Sequence, residues 1–490
     1  MLMVFPCVIP KPNRCRLTGE YYAGSAAEIR KTIDTELPDN GAYRLVISKD
    51  GIEVSAADDK GFFYAQQTLK QLAFVYGNPL PTMEIDDAPV FMHRGFMVDS
   101  VRHMQTVDEL KKLIDTASMF KFNVFHWHLS DDQGFRFESE TYPELTQIAC
   151  VRPSSDFGKV HDNTPYGGYY TKQQMREIID FCHARFITVI PEIDMPGHTC
   201  AILHAKPELS CKGEEVSIKT TAGIFEEILC CGKEETFDFI FGLLDELCEV
   251  FPDPFIHIGG DEAPKNNWKI CPACQGRMLQ EGLANEEQLQ GYMTTRISEH
   301  LAKKGRQCIC WNETLASDIL PEGLIIQNWM DKKKQVPAFA AAGGRVIYSD
   351  YYHYYTDYPY AMTPVKKTYT ADPVPKNLPA EMLQNCIGVE TPIWTEHVRD
   401  FSRLCYMTWP RFAAVSETGW TKKERKKYDD FKERMVTLLP LLEENGIYAA
   451  DPKEWDPISV SRLPRTLGHF ADTVSAEMVT NFFKDTFKKD

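Results

Sequence analysis

No stretch of this 490-residue sequence approaches the roughly 20 consecutive apolar residues that a membrane-spanning helix needs. Positive charge is in deficit too: 54 Lys and Arg stand against 70 Asp and Glu, a formal net charge of −16. That balance argues against nucleic acid or an anionic membrane as the main partner, because phosphates call for a basic surface. It does not oppose a neutral substrate. Low-complexity and collagen-like segments are missing, and 43% hydrophobic with 25% charged residues is the composition of an ordinary globular chain. The opening "MLMVFPCVIPKP" lacks a basic leader and is interrupted by Pro6 and Pro10, so it reads as a first strand and not as a signal peptide. The 15 cysteines are odd in number and scattered. They suit free thiols in a reducing cytoplasm, the expected location, although a secreted chain stripped of its signal would have the same composition. Cys271 and Cys274 form a CxxC, but no second CxxC or CxxH stands at zinc-finger spacing. They are read as structural thiols, and neither a metal nor a cofactor is expected.

What is present divides in three. Residues 1–88 read as a small α+β domain: "YRLVISKDGIEVSA" is two alternating strands around a Lys-Asp-Gly turn, flanked by the helical patterns "SAAEIRKTIDTEL" and "GFFYAQQTLKQLAFVY". "PTMEIDDAP" looks like a linker. Over 89–450 strand-like runs alternate with helical patterns: "RGFMVDS", "FNVFHWHLS", "ITVIPEID", "FIHIGG", "QCICWN", "LIIQNW", "RVIYSD" and "CIGVETPIW". Two of the helices open with capping boxes, Thr106 with Glu109 and Thr171 with Gln174. Eight apolar strands mostly separated by helices predict an α/β chain with a (β/α)8 barrel, whose active site lies at the carboxyl ends of the strands. Residues 451–490 read as a C-terminal helical extension.

Those strand ends carry the polar residues: Asp99 and Arg102, Asp131 and Asp132, Asp194 and His198, Asp261 and Glu262. Later ends add Trp311, Trp329, Tyr355 with Asp357, and Trp394 with Glu396. Aromatic faces cover the apolar side of a sugar ring while carboxylates and arginine bind its hydroxyls, so the rim points to a carbohydrate pocket. An acid pair after two glycines is, alone, more often a solvated loop; repeated at four strand ends it indicates a site.

The motifs "HIGGDE", "HWHLSDDQGFR", "PEIDMPGH" and "DSVRH", in their order along the chain, resemble those of family 20 glycoside hydrolases, the β-N-acetylhexosaminidases. The resemblance spans roughly residues 5 to 450. It implies an exo-acting, retaining enzyme that removes terminal β-linked N-acetylglucosamine or N-acetylgalactosamine from a glycan or oligosaccharide, using the substrate's acetamido group as nucleophile. It implies Glu262 as general acid/base, Asp261 as the group holding the acetamido, and Arg102 as ligand of the C3 and C4 hydroxyls. Asp131 and His198 match a relay orienting the acid/base. Trp311, Trp329 and Trp394 match aromatic walls, Tyr355 and Asp357 further acetamido contacts, and Glu396 a ligand of the outer hydroxyls. Burial and Asp261 are expected to help Glu262 hold the proton it donates, with Asp261 ionised. Barrels of this kind often pair, so a homodimer is left open. Two other readings stand beside this one: a metal-dependent amidohydrolase built on His126 and His128, and a non-catalytic carbohydrate-binding protein.

Overall fold

The computed structural model describes residues 6–458, apart from 159, 332, 376 and 377, together with 461, 462 and 464–466. The Lys-Asp-Gly turn closes the expected hairpin, β3 (Tyr43–Ser48) against β4 (Gly51–Ala56), with Ser48 opposite Gly51. Tyr43, Leu45 and Ile47 turn inward and meet helix α1 (Asp59–Tyr76), whose first turn is capped by Asp58. With β1 (Arg14–Tyr22), β2 (Ile29–Ile33) and β5 (Leu80–Asp87), the hairpin forms a five-stranded sheet in the order β1-β5-β3-β4-β2.

Three expectations for this unit are corrected. Pro6 to Asn13 form no strand, and the first strand begins at Arg14. The "SAAEIRKTIDTEL" stretch is not a helix; its centre is β2, a largely exposed edge strand paired in parallel with β4. Its apolar spacing is helix-like, but the free edge of β4 offers a hydrogen-bonded ladder that the short helix would forgo. "PTMEIDDAP" is not a linker but β5, a central strand between β1 and β3. Its acids misled the reading: Glu84 and Asp86 face Arg16 and Arg44 across the strands, at 2.7 and 3.5 Å, while Met83 and Ile85 are buried.

Asp87 at the end of β5 anchors this sheet to the next unit. Fully buried, it accepts from Tyr43 Oη (2.9 Å), Trp420 Nε1 (2.8 Å) and Lys121 Nζ (3.2 Å). Burial outweighs Asp87 and brings the Lys121 ammonium down to about 8.

The eight expected strands are all present: β6 (His93–Asp99), β7 (Val124–His128), β8 (Thr188–Glu192), β9 (Phe255–His257), β10 (Gln307–Trp311), β11 (Ile325–Asn328), β12 (Arg345–Tyr348) and β13 (Cys386–Ile393). They pair in parallel and close in chain order, β13 meeting β6. Helices α2 (Val107–Met119) and α3 (Lys172–His183) carry both capping boxes, and α4 (Glu234–Val250) follows β8. Between β10 and β11 a 3-10 segment, Asn312–Ala316, replaces a helix. Of the extension expected over 451–490, residues 467–490 lie outside the described residues; 451–458 form turns that seat the buried Trp455.

Alternation along the strands sorts the barrel interior. On β7, Phe125 and Trp127 face the helices, whereas Val124, His126 and His128 face the barrel axis. Val124, Ile190, Ile309, Ile325 and Ile347 form an apolar plug at the amino-terminal end. Above it the interior is ionic, and that layer supports the site.

Candidate active site

At the end of β9 the backbone turns through Gly259 (φ 67°), Gly260 (φ 101°) and Glu262 (φ 45°). The glycines are required by space as well as by φ. A Cβ on Gly259 would lie 1.6 Å from Asp194 Oδ1, and one on Gly260 would lie 2.6 Å from Thr314 Oγ1. The Asp194 carboxylate thus fills the hollow that Gly259 leaves and accepts the Gly260 N–H at 3.1 Å. Asp194 also stands with His198 and Asp261, their side-chain ligand atoms within 4.8 Å of one another. Glu313 accepts the Glu262 N–H and stabilises the left-handed conformation there.

The turn sends Asp261 and Glu262 toward His198, itself at φ 53° on the loop after β8. His198 Nε2 lies 3.5 Å from Glu262 Oε2 and 3.9 Å from Asp261 Oδ2. Its Nδ1 faces Asp131 Oδ1 (3.2 Å) and Asp132 Oδ2 (3.1 Å). Burial disfavours a charged imidazole, but Asp131 outweighs it, joined by hydrogen bonds to Asp131, Asp132 and Glu262, and holds His198 well above the ordinary histidine range. His198 is therefore an imidazolium between two acid pairs. Asp132 anchors its loop through the Cys200 N–H (3.1 Å) and shares His198 as well.

Asp131 also accepts from Arg102 Nη2 (2.6 Å) and His128 Nε2 (2.9 Å). The arginine expected to bind hydroxyls and the expected relay thus meet on one carboxylate. Asp99 (3.2 Å), Gln133 (2.7 Å) and Glu396 (3.7 Å) complete the setting of Arg102, whose guanidinium lies over the Trp394 ring at 5.2 Å.

Trp394 is the hub of the aromatic wall, with Tyr355 at 6.3 Å and Trp329 stacked 6.3 Å beyond Tyr355. Of the tyrosines in "YYHYYTDY", Tyr355 takes this place, while Tyr354 is buried with Val389 and Val415. Trp311 is a correction. It has no exposed surface, because its Nε1–H is drawn to Glu192 Oε1 (2.8 Å), and it supports Trp394 from below at 6.2 Å.

Burial, with Glu313 and Glu262 adding to it against His198, pushes the Asp261 carboxyl up to about 7. Burial and the neighbouring Glu396 push Asp357 to about 8. Asp261 was expected to be ionised; its burial works against that charge. Asp261 Oδ1, Asp357 Oδ1 and Trp329 Nε1 are buried without a hydrogen-bond partner among the described residues. Such atoms are costly unless something pairs with them.

Beneath lies a network of core histidines whose two glutamates sequence reasoning missed. Glu192 accepts from His128 Nδ1 and Trp311 Nε1, with His126 Nε2 at 3.2 Å and His257 Nδ1 at 2.9 Å, while Glu390 pairs with His126 Nδ1 (2.8 Å) and His93 (2.8 Å). Glu390 outweighs the burial of His126 and brings it up to about 9. The available signal was an acid inside each of two apolar strands, "VIPE" and "GVETP".

The CxxC is a second correction. Cys271 and Cys274 are not isolated thiols: the fold brings Cys211 and Cys230 to them, and the four sulfurs lie within 4.8 Å of one another.

A closed parallel barrel with an acid pair, a histidine relay and an aromatic wall at its carboxyl rim defines a glycoside hydrolase. The family model "Glycosyl hydrolase family 20, catalytic domain" matches residues 91–423, and that family's domain 2 matches residues 14–88. The chain belongs to glycosyl hydrolase family 20. It is 36% identical over 452 residues to a beta-hexosaminidase of Porphyromonas gingivalis, covering 88% of this chain and 57% of that protein. It is 32% identical to a beta-hexosaminidase of Akkermansia muciniphila, covering 88% and 89%. The crystal structure of an exo beta-N-acetylglucosaminidase from Vibrio harveyi in complex with N-acetylglucosamine superposes with a TM-score of 0.82 at 29% identity, over 91% of this chain and 78% of that one.

Proposed function

We propose that this protein is an exo-acting, retaining β-N-acetylhexosaminidase that removes terminal N-acetylglucosamine from glycans by substrate-assisted catalysis. The observation that carries the reading is the buried, unpaired Oδ1 of Asp261 beside Glu262. An acetamido N–H supplies the missing hydrogen bond. Its arrival, and the positive charge that grows on the amide, ionise Asp261 at the moment the charge is useful.

In the first step the acetamido oxygen attacks C1 and the C1–O bond to the leaving group breaks. Glu262 delivers its proton to the departing oxygen, leaving an oxazolinium steadied by Asp261. In the second step Glu262 takes a proton from water, the water oxygen joins C1, and the amide is restored. Imidazolium His198, held by Asp131 and Asp132, keeps Glu262 in place and favours the carboxylate it becomes after proton transfer. Arg102 and Glu396 present charged groups to the ring hydroxyls, and Trp394, Tyr355 and Trp329 line its apolar edge.

The amidohydrolase reading is disfavoured by its own ligands. His126 is held by Glu390 and faces Glu192, His128 is held by Glu192 and Asp131, and both lie in the layer beneath Trp394. A site that binds sugar without cleaving it has no use for a proton donor next to the buried Asp261. The deciding experiment compares an aryl β-N-acetylglucosaminide with the matching aryl β-glucoside. The glucoside lacks the nucleophile and is expected to react at least about three decades more slowly; comparable rates end the proposal. Pairing of two chains is checked separately by light scattering.

A further inference from the structure

Fifteen thiols are distributed through this chain, and four of them converge. Cys211 Sγ is 3.8 Å from Cys274 Sγ, Cys230 Sγ is 3.8 Å from Cys271 Sγ, and Cys230 Sγ is 3.5 Å from Cys274 Sγ. These separations are far beyond a disulfide bond of about 2.0 Å. They match another object: four thiolates in a tetrahedron around zinc, with Zn–S of about 2.3 Å, have S···S edges of about 3.8 Å. All-sulfur tetrahedral sites select zinc or iron. Cys230, Cys271 and Cys274 are buried, and Cys211 is half-buried at the edge.

The backbone around the cluster is shaped to hold it. A lone antiparallel bridge, Ser210 to Leu229, sets Cys211 beside Cys230, reinforced by the Cys230 N–H donating to Leu209 O at 2.9 Å. Cys271 caps α5 (Pro272–Glu281), and Cys274 stands in its first turn. The two chain segments approach so closely at Gly232 that a Cβ there would lie 2.1 Å from the carbonyl carbon of Ala273 and 2.2 Å from the amide of Cys274. Trp268 Nε1 donates to Leu229 O at 2.9 Å and ties the same two segments.

We propose that Cys211, Cys230, Cys271 and Cys274 bind one zinc ion, a structural site that clamps the loop carrying His198 to the loop carrying Asp261 and Glu262. The first segment follows β8 and the second follows β9, so the clamp lies behind the acid pair and is not part of it. Zinc entry releases the four thiol protons and leaves a ZnS4 centre of charge −2, with the Lys233 ammonium on the Glu208 and Ser210 carbonyls at 2.7 and 2.6 Å. The spacing in sequence hides the site, since one CxxC is completed by two distant cysteines.

The test uses the full chain, expressed with zinc and purified under reductant without a metal-chelating resin. Elemental analysis of the wild-type protein is expected to give one zinc per chain, retained in a Cys15→Ser control and reduced at least about tenfold in Cys271→Ser/Cys274→Ser. Withdrawal of zinc by titrating the thiols with a mercurial should lower kcat by about tenfold or more with KM little changed, as both loops loosen. Less than about 0.2 zinc per wild-type chain overturns the proposal, whatever the variant's folding. Stoichiometric iron overturns the zinc assignment, and a denatured thiol count four short of the full fifteen, showing two disulfides, overturns the site.

Discussion

Gly259→Ala should disable the enzyme from a position that touches no substrate. The new Cβ would lie 1.6 Å from Asp194 Oδ1, so the two must part by at least about 1.4 Å to reach the 3.0 Å that real Cβ contacts respect. Alanine at φ 67° adds about 1–2 kcal/mol. Displacing Asp194 breaks its 3.1 Å bond to the Gly260 N–H and leaves a buried amide unpaired, about 1–3 kcal/mol more. The expected loss of stability is about 2–5 kcal/mol. Movement of the turn by about 1 Å carries Asp261 and Glu262 with it and lowers kcat roughly 100-fold. Guanidinium midpoints and kcat on an aryl β-N-acetylglucosaminide measure the two effects. Asp194→Ala removes the two nearest atoms and leaves the Cα at 2.9 Å, so in that background Gly259→Ala should cost little beyond the backbone term of about 1–2 kcal/mol. Additive costs in the cycle, or a near-wild-type kcat for Gly259→Ala, would refute the claim that Asp194 occupies the glycine's place.

Glu262→Gln removes the proton donor and should lower turnover on the same substrate by about two to four decades, read in steady-state kinetics. The Asp261 carboxyl stands near 7, and its ionised form does the work, so kcat/KM should fall as pH drops through about 7. Glu313→Gln takes away a negative charge that raises it and should move that acid limb to lower pH; an unmoved limb assigns it to another group. Trp394→Ala should raise KM by about ten- to a hundredfold, because it removes the sugar platform and frees Arg102 from its ring. Asp131→Asn unbalances Arg102, His128 and His198 together, so its cost in kcat should exceed that of Asp132→Asn.

The barrel was legible because its strands were short apolar runs, most of them leading into polar residues, and because two of the helices announced their starts with capping boxes. The small domain was read less well. In β5 the acids that suggested a linker are matched by arginines on strands distant in sequence, and in β2 strand pairing overrides a local helical spacing. At the site, Arg102, Asp131, His198, Asp261 and Glu262 sit in motifs, and the fold gathers them. Glu313 and Glu390 have no motif, and Glu192 stands in "PEIDMPGH" without a role that the motif announces; their places follow only from the closed barrel. Trp311 looked like its fellow tryptophans until Glu192 claimed its indole N–H. The cysteine cluster was hidden for the same reason as the glutamates, because its members come together only when two loops pack.

The central claim is that the sugar's own amide attacks C1 with Asp261 beside it. Its most direct test is kcat/KM on aryl glucosaminides carrying N-acetyl, N-fluoroacetyl, N-difluoroacetyl and N-trifluoroacetyl groups, since fluorine weakens the carbonyl oxygen as a nucleophile and leaves the leaving group unchanged. A steep fall of about a decade or more with successive fluorination is the expected result; a flat series would show that the amide takes no part in the displacement.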